Sequence, residues 1–267
     1  MNSTDTTDST VTVTVDAGLA TITLHRVGAS NALDVATKTA LRGAVLAVAA
    51  DDAVRAVLLA ADGRHFCVGQ DLDEHVAGLD ADPAHAMDTV RLHYNPLIEA
   101  LAAVRVPVVV AINGACVGAG LGLALAGDIR VAGESATFAT AFAGIALAAD
   151  SGLSHTLVRA LGASRAAGLL MLGDRFTAAQ ALDWGLVHRV VPDADLAEAA
   201  RTVARRLADG PTAAYTQVKA LVSASAPGLT DALEREQRAQ EALGATADHR
   251  NAVDAFLAKR RPVFQGH

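Results

Sequence analysis

The stretch "PVVVAINGACVGAGLGLALAGDIRVA", residues 107–132, decides the fold. It opens on a β-branched run behind Pro107 and breaks at Asn113-Gly114. It then passes Gly118, Gly120 and Gly122 before a second strand-like run, "DIRVA", at 128–132. Between Val106 and Gly127 the single polar side chain is Asn113, and an apolar stretch of this length could span a bilayer. The break and the glycines speak instead for a buried strand, a turn and the start of a Gly/Ala-rich helix. No membrane span is expected.

Working outward, "AVRAVLLAA" at 53–61 reads as a second buried strand, centred on 55–60. "TVTVTV" (10–15) and "LATITL" (19–24) alternate polar and apolar around "DAG" and read as a hairpin or adjacent strands. A helix can start on Asp34, and helical spacing returns over 83–103. "ATFAT" (136–140) can add a strand. From 151 to 261 the pattern is almost all helical, interrupted at "GASR" (162–165), "GDRFT" (173–177), "WGLVHRVVPDAD" (184–195) and "DGPT" (209–212). The reading is a tail over 1–9, one α/β core over 10–200 and a helical C-terminal region over 201–267.

The chain has 267 residues, 52% hydrophobic and 19% charged, enough for a sizeable core of Ala, Val and Leu. The net charge of −7 argues against a nucleic-acid partner, since phosphate binding wants clustered Lys and Arg. A small anionic ligand held by backbone N–H groups stays open. The two cysteines, Cys67 and Cys116, form no CxxC pair and read as reduced thiols of a cytoplasmic protein. The polar, acidic start "MNSTDTTDST" is read as neither a signal nor a transit peptide.

Two small-residue loops follow the two most apolar strands: "FCVGQDL" (66–72) and "NGACVGAGLGLALAGD" (113–128). Small side chains let backbone N–H groups approach a ligand, and a helix opening after Gly118 leaves its first N–H groups unpaired. One donor from each loop could hold a developing oxyanion; tight helix packing accounts for the glycines equally well. "GAGLGL" is a poor dinucleotide fingerprint, with Leu123 where a third glycine belongs. "QDLDEH" (70–75) lacks a second cluster to complete a metal site, so its acids read as solvated and no metal is expected. Between Glu134 and Arg159 the one charged side chain is Asp150. Followed by "SGLS" it has the form of a helix N-cap. In apolar surroundings it also suits a general base of raised pKa.

"HFCVGQDL" (65–72), residues 107–132, "ATFATAFAGIAL" (136–147) and "GDRFTAAQALDWGLVHRVV" (173–191), in that order, resemble the enoyl-CoA hydratase/isomerase (crotonase) superfamily. The resemblance runs from about Val11 to the C-terminus. It implies a spiral of ββα units with a helical C-terminal region, assembled as a homotrimer or a dimer of trimers. It also implies acyl-CoA thioester substrates with no further cofactor, and an enolate stabilised by the backbone N–H groups of Gln70 and Ala119, the latter following Gly118. "HRVGASNAL" (25–33) becomes the CoA-binding loop, with Val27 and Ala29 near the nucleotide; many members carry a basic residue where Ala29 stands. Val68, Gly69 and Asp71 would line the pantetheine or acyl path, and Phe264 would reach CoA in its own or a neighbouring subunit.

Two glutamates of family hydratases fall on Gly122 and Phe142 here, which argues for isomerase rather than hydratase chemistry. Asp150 falls where other branches keep an aspartate. "FCVGQDL", "YNPL" (94–97) and "FLAKRRPVFQGH" (256–267) resemble the phenylacetate-pathway ring-epoxide/oxepin-CoA isomerase branch. The dehalogenase branch carries histidine where Asn95 stands and tryptophan where Phe142 stands. Those two positions are thereby placed at the acyl group, and their identity here counts against dehalogenation. An enoyl-CoA hydratase and a non-catalytic acyl-CoA-binding protein are the alternatives.

Overall fold

Strands β1 (Val11–Asp16) and β2 (Leu19–Leu24) pair antiparallel, with Val11 opposite Leu24. The two linking residues, Ala17 and Gly18, both have positive φ, the backbone that suits a two-residue hairpin. The computed structural model describes residues 9–224 and 229–267; apart from Ser9, the expected N-terminal tail lies outside them. Strands β3 (Ala56–Ala61), β4 (Val108–Ile112), β6 (Ile129–Gly133) and β9 (Arg189–Val191) extend β2 in parallel, giving the order β1-β2-β3-β4-β6-β9. A small second sheet joins β5 (Ala115–Val117), β7 (Thr137–Ala139) and β8 (Phe176–Thr177).

Every residue of β4 is buried, as its uninterrupted apolar run requires when both faces are covered. On one face lie α1 (Val35–Ala50) and α3 (Asn95–Ala102), which contribute Leu41, Val45, Leu97 and Leu101 to the larger core. On the other lies α7 (Leu196–Ala208), which sets Leu196, Ala200, Ala204 and Ala208 against Leu58, Val109 and Val131. That four-residue repeat is one helix face, and its alanines allow a close approach to the sheet. The position 200/201, where the sequence suggests a boundary, falls inside α7.

Asp34 caps α1, accepting the Thr37 N–H at 2.7 Å, and so marks the helix start where the sequence places it. The run 107–132 divides into β4, β5, α4 (Ala119–Leu125) and β6, and no described helix is long and apolar enough to cross a membrane. Two expectations are corrected. The helical reading of 83–103 holds from 88 to Ala102 but not over 83–87, which are turns, and it widens to a π-type turn at Val90–Tyr94 before α3, whose Pro96 has no N–H for a regular rung. The helical reading of 151–261 misses β8 and β9, which at two and three residues are too short to show a period. Within it, α5 (Leu153–Leu172) breaks at Gly162, in the "GASR" where the sequence interrupts the pattern. The remaining helices are α2 (Leu72–Ala81), α6 (Ala178–Asp183), α8 (Thr212–Ser223), α9 (Leu229–Gly244) and α10 (Ala247–Leu257).

Candidate active site

The loops after β3 and β4 are laced together. Phe66 donates to the Asn113 carbonyl at 2.7 Å, Cys67 to Ala115 at 3.2 Å, and Val117 back to Cys67 at 2.9 Å. Cys67 and Cys116 thus lie opposite one another, fully buried, each three residues before one of the two expected donors. Burial pushes the Cys67 thiol up to about 12.

Each donor follows a glycine of positive φ: Gly69 (+91°) before Gln70 and Gly118 (+56°) before Ala119. The Gly69 carbonyl accepts from Leu33 at 2.8 Å, so the N–H of the same trans peptide, that of Gln70, points the opposite way. Among the described residues no protein acceptor takes it. Ala119 opens α4, whose first rung is the Gly122 N–H to the Gly118 carbonyl at 3.1 Å, so the Ala119 N–H lies ahead of the ladder. A methyl group on Gly69 would sit 3.4 Å from the Ala119 nitrogen, so the two loops touch where the donors emerge.

Arg26 fastens the 25–33 loop to this centre. It pairs with Asp71 at 2.5 Å and with Asp34 at 3.3 Å, while the Asn31 amide donates to the Asp62 and His65 carbonyls. Val27, exposed, and Ala29, half-buried, therefore stand beside the Gln70 loop. Val68 is half-buried and Gly69 buried within that loop. Asp71 is 8% exposed rather than solvated, and its carboxylate is committed: it caps α2 through the Glu74 N–H at 2.9 Å and binds Arg26. The Glu74 N–H foremost, with Arg26, holds its carboxyl below the usual range.

Asp150 is not an N-cap. That position is Gly152, and among the described residues the Asp150 side chain takes one bond, from the Ser151 hydroxyl at 2.8 Å. The left-handed Ser151-Gly152 turn, φ +52° and +74°, sets Asp150 back from the helix end. Burial raises its pKa, opposed by the Ser151 bond and by the Lys38 charge. Ser151 packs on α4: a Cβ on Gly122 would lie 2.4 Å from the Ser151 Cβ. Gly122 is three residues beyond Ala119, so the Asp150 segment and one donor share the same short helix. Phe142, half-buried, comes within 3.9 Å of where a Gly118 side chain would begin. Asn95 is exposed at the first position of α3.

Phe264 does not join this group in its own chain. The Gln265 and Gly266 N–H groups donate to Asp248, and Gly266 lies against Thr212 and Arg55. Arg55 precedes β3, whereas Gln70 follows it, so the length of that strand separates the two.

A cluster that sequence reading passed over stands behind Gln70. Lys38, with a fully buried side chain, donates to Gln70 Oε1 (2.9 Å), Glu74 Oε1 (3.1 Å) and Thr89 Oγ1 (2.7 Å). The Tyr94 hydroxyl donates to Gln70 Oε1 at 2.7 Å. The signal was present: Lys38 falls on the Leu41/Val45/Val48 stripe of α1, where a charge is out of place.

An open, mostly parallel sheet that feeds two glycine-led donor loops and a smaller second sheet is the crotonase fold. The chain belongs to the enoyl-CoA hydratase/isomerase family, whose model matches residues 14–267. It is 41% identical over 254 residues to 1,2-epoxyphenylacetyl-CoA isomerase of Escherichia coli, covering 94% of this chain and 97% of that one. It is 34% identical to trans-2-decenoyl-[acyl-carrier-protein] isomerase of Streptococcus mutans, covering 94% and 96%. A solved chain from Mycobacterium abscessus, described as of the enoyl-CoA hydratase/isomerase type, shares 60% identity at a TM-score of 0.94, covering 96% of this chain and all of that one.

Proposed function

We propose that this protein is an acyl-CoA isomerase in which Asp150 moves a proton between carbons of a thioester-bound substrate. The observation that carries the reading is the contact between Gly122 and Ser151. A glutamate on Gly122 has no room, and the segment that fills its place brings in Asp150. Phe142 occupies the other hydratase position. Water addition needs one group to activate water and one to protonate the α-carbon. Asp71 is engaged by Arg26 and Glu74 by Lys38, whereas among the described residues the Asp150 carboxylate is in no ion pair and takes the Ser151 hydroxyl.

The thioester carbonyl accepts from the Gln70 and Ala119 N–H groups, which stabilise negative charge developing on that oxygen. Asp150, ionised, takes a proton from one carbon to give the enolate and returns it to another, shifting the double bond with no net change of atoms. The substrate class is an acyl-CoA, the CoA lying along the 25–33 loop past Val27 and Ala29, with Val68, Gly69 and Gly118 on the path to the carbonyl. Asn95 and Phe142 would border the acyl group. Phe264 reaches such a site from a neighbouring subunit of a homotrimer. Incubating enoyl-CoA and arylacetyl-CoA thioesters in D2O tests the reading: double-bond migration with deuterium uptake at carbon is expected. Hydration of crotonyl-CoA at comparable rate would overturn it.

The pH profile follows from the Asp150 environment. A base must be ionised, so kcat/KM rises with pH through a limb lying above the ordinary aspartate range. Ser151→Ala removes a bond to the charged form, so the limb moves to still higher pH. A limb unmoved in S151A would show that another group titrates there.

A further inference from the structure

We propose that Lys38 is a positioning residue for the oxyanion site: its buried ammonium clamps the Gln70 side chain, so that the Gln70 peptide N–H is held toward the substrate carbonyl. The inference rests on the donor role given above to Gln70.

Every polar atom of the Gln70 side chain is engaged. Oε1 accepts from Lys38 and Tyr94; Nε2 donates to Glu74 Oε1 at 3.0 Å and to the Asp71 carbonyl at 3.2 Å. All three ammonium protons of Lys38 have acceptors, and the cation also lies 4.8 Å from the centre of the Tyr94 ring. Glu74 is itself fixed, its other carboxylate oxygen accepting the Val35 N–H at 2.7 Å. The clamp therefore ties α1, α2 and the Thr89–Tyr94 turn to one residue of the donor loop. Burying an ammonium is costly unless it is paired and fully hydrogen-bonded, and a leucine would fill this stripe of α1 without that cost. Stability alone does not call for a lysine here.

The geometry gives the charge a use. Gln70 is bracketed by Gly69, which has a positive φ and no side chain to hold it, and by Asp71, which is pinned to Arg26 and the α2 start. Two holds set the peptide at 69–70: the Leu33 N–H on the Gly69 carbonyl from the backbone side, and the clamp on the Gln70 side chain. Bonds to a charged donor are the strong kind, and a misplaced donor is costly in rate. Lys38 also acts on Asp150, favouring its charged form.

The test uses the full-length protein and para-dimethylaminocinnamoyl-CoA, whose absorption moves to the red when its thioester carbonyl is polarised. In Lys38→Met, folded by circular dichroism, we expect the probe to bind within a few-fold of wild type with most of the red shift lost. Turnover should fall about tenfold to hundredfold in kcat with little change in KM. Tyr94→Phe, which removes one clamp bond and no charge, should give a smaller loss of shift. Wild-type red shift retained in K38M overturns the assignment while leaving the donor reading intact. Absence of any red shift in wild type overturns the donor reading itself, and the role of Lys38 with it. Where K38M fails to fold, K38M/E74Q removes both charges of the pair and takes its place. Failure of both to fold makes Lys38 a stability residue and ends the proposal.

Discussion

Asp150→Asn should lower the kcat of the proposed isomerase turnover about 10²–10⁴-fold, while acyl-CoA binding is expected to stay near the wild-type level. Asparagine keeps the size of the side chain and its bond with Ser151 but cannot accept and return a proton at carbon. The Gln70 and Ala119 donors are untouched, so binding and carbonyl polarisation persist. Steady-state kinetics beside isothermal titration with a slowly turned-over thioester make the measurement; turnover within tenfold of wild type removes Asp150 from the chemistry. The same variant has a second expected effect. Burial raises the folded-state pKa of Asp150 above its unfolded value. Such a group favours folding most below the unfolded pKa, and that contribution is lost as pH rises through the folded pKa. At neutral pH the ionised carboxylate is therefore a burden on the folded protein. The Asn variant should melt at higher temperature than wild type at pH 7, with the gap closing as pH falls toward the carboxylate range. Equal melting temperatures throughout would show Asp150 to be unperturbed.

Gly120→Ala should be nearly as damaging, by a different route. A Cβ there would lie 2.3 Å from the Cys67 carbonyl oxygen and 2.8 Å from the Cys67 Cβ, both in a fully buried segment. The first turn of α4 must retreat by about 1 Å to restore an ordinary contact. That retreat carries Ala119 away from the Gln70 loop. Overpacking of this kind costs about 1–3 kcal/mol in stability. A donor displaced by about 1 Å lowers kcat about 10²-fold. Urea unfolding and kcat report the two effects separately. Wild-type kcat in G120A would mean that the spacing of the loops does not set the rate.

Much of this was legible before any coordinates. Asp34 announces α1 because a capping carboxylate is a local event. The 107–132 run shows its strands and short helix because β-branched residues, a turn dipeptide and clustered glycines each constrain the backbone nearby. Gln70 and Ala119 become visible through the family motif, and the positive φ at Gly69 and Gly118 accounts physically for the glycine before each. What escaped depends on contacts distant in sequence. β8 and β9 exist because β7 and β6 offer them partners. Asp150 has the spelling of a cap, yet the left-handed turn that displaces it is set by packing on Gly122. The partners of Lys38 lie 32 to 51 residues away, beyond the reach of any local pattern.

The facing thiols beneath the donor loops have a practical consequence. Both cysteines are sealed from solvent, and their weak acidity leaves almost no thiolate at physiological pH. Maleimide reagents should pass the native chain by. A cysteine introduced on an exposed helix then becomes a unique handle for a fluorophore or spin label, and substrate-driven motion can be followed without first stripping out the native sulfur.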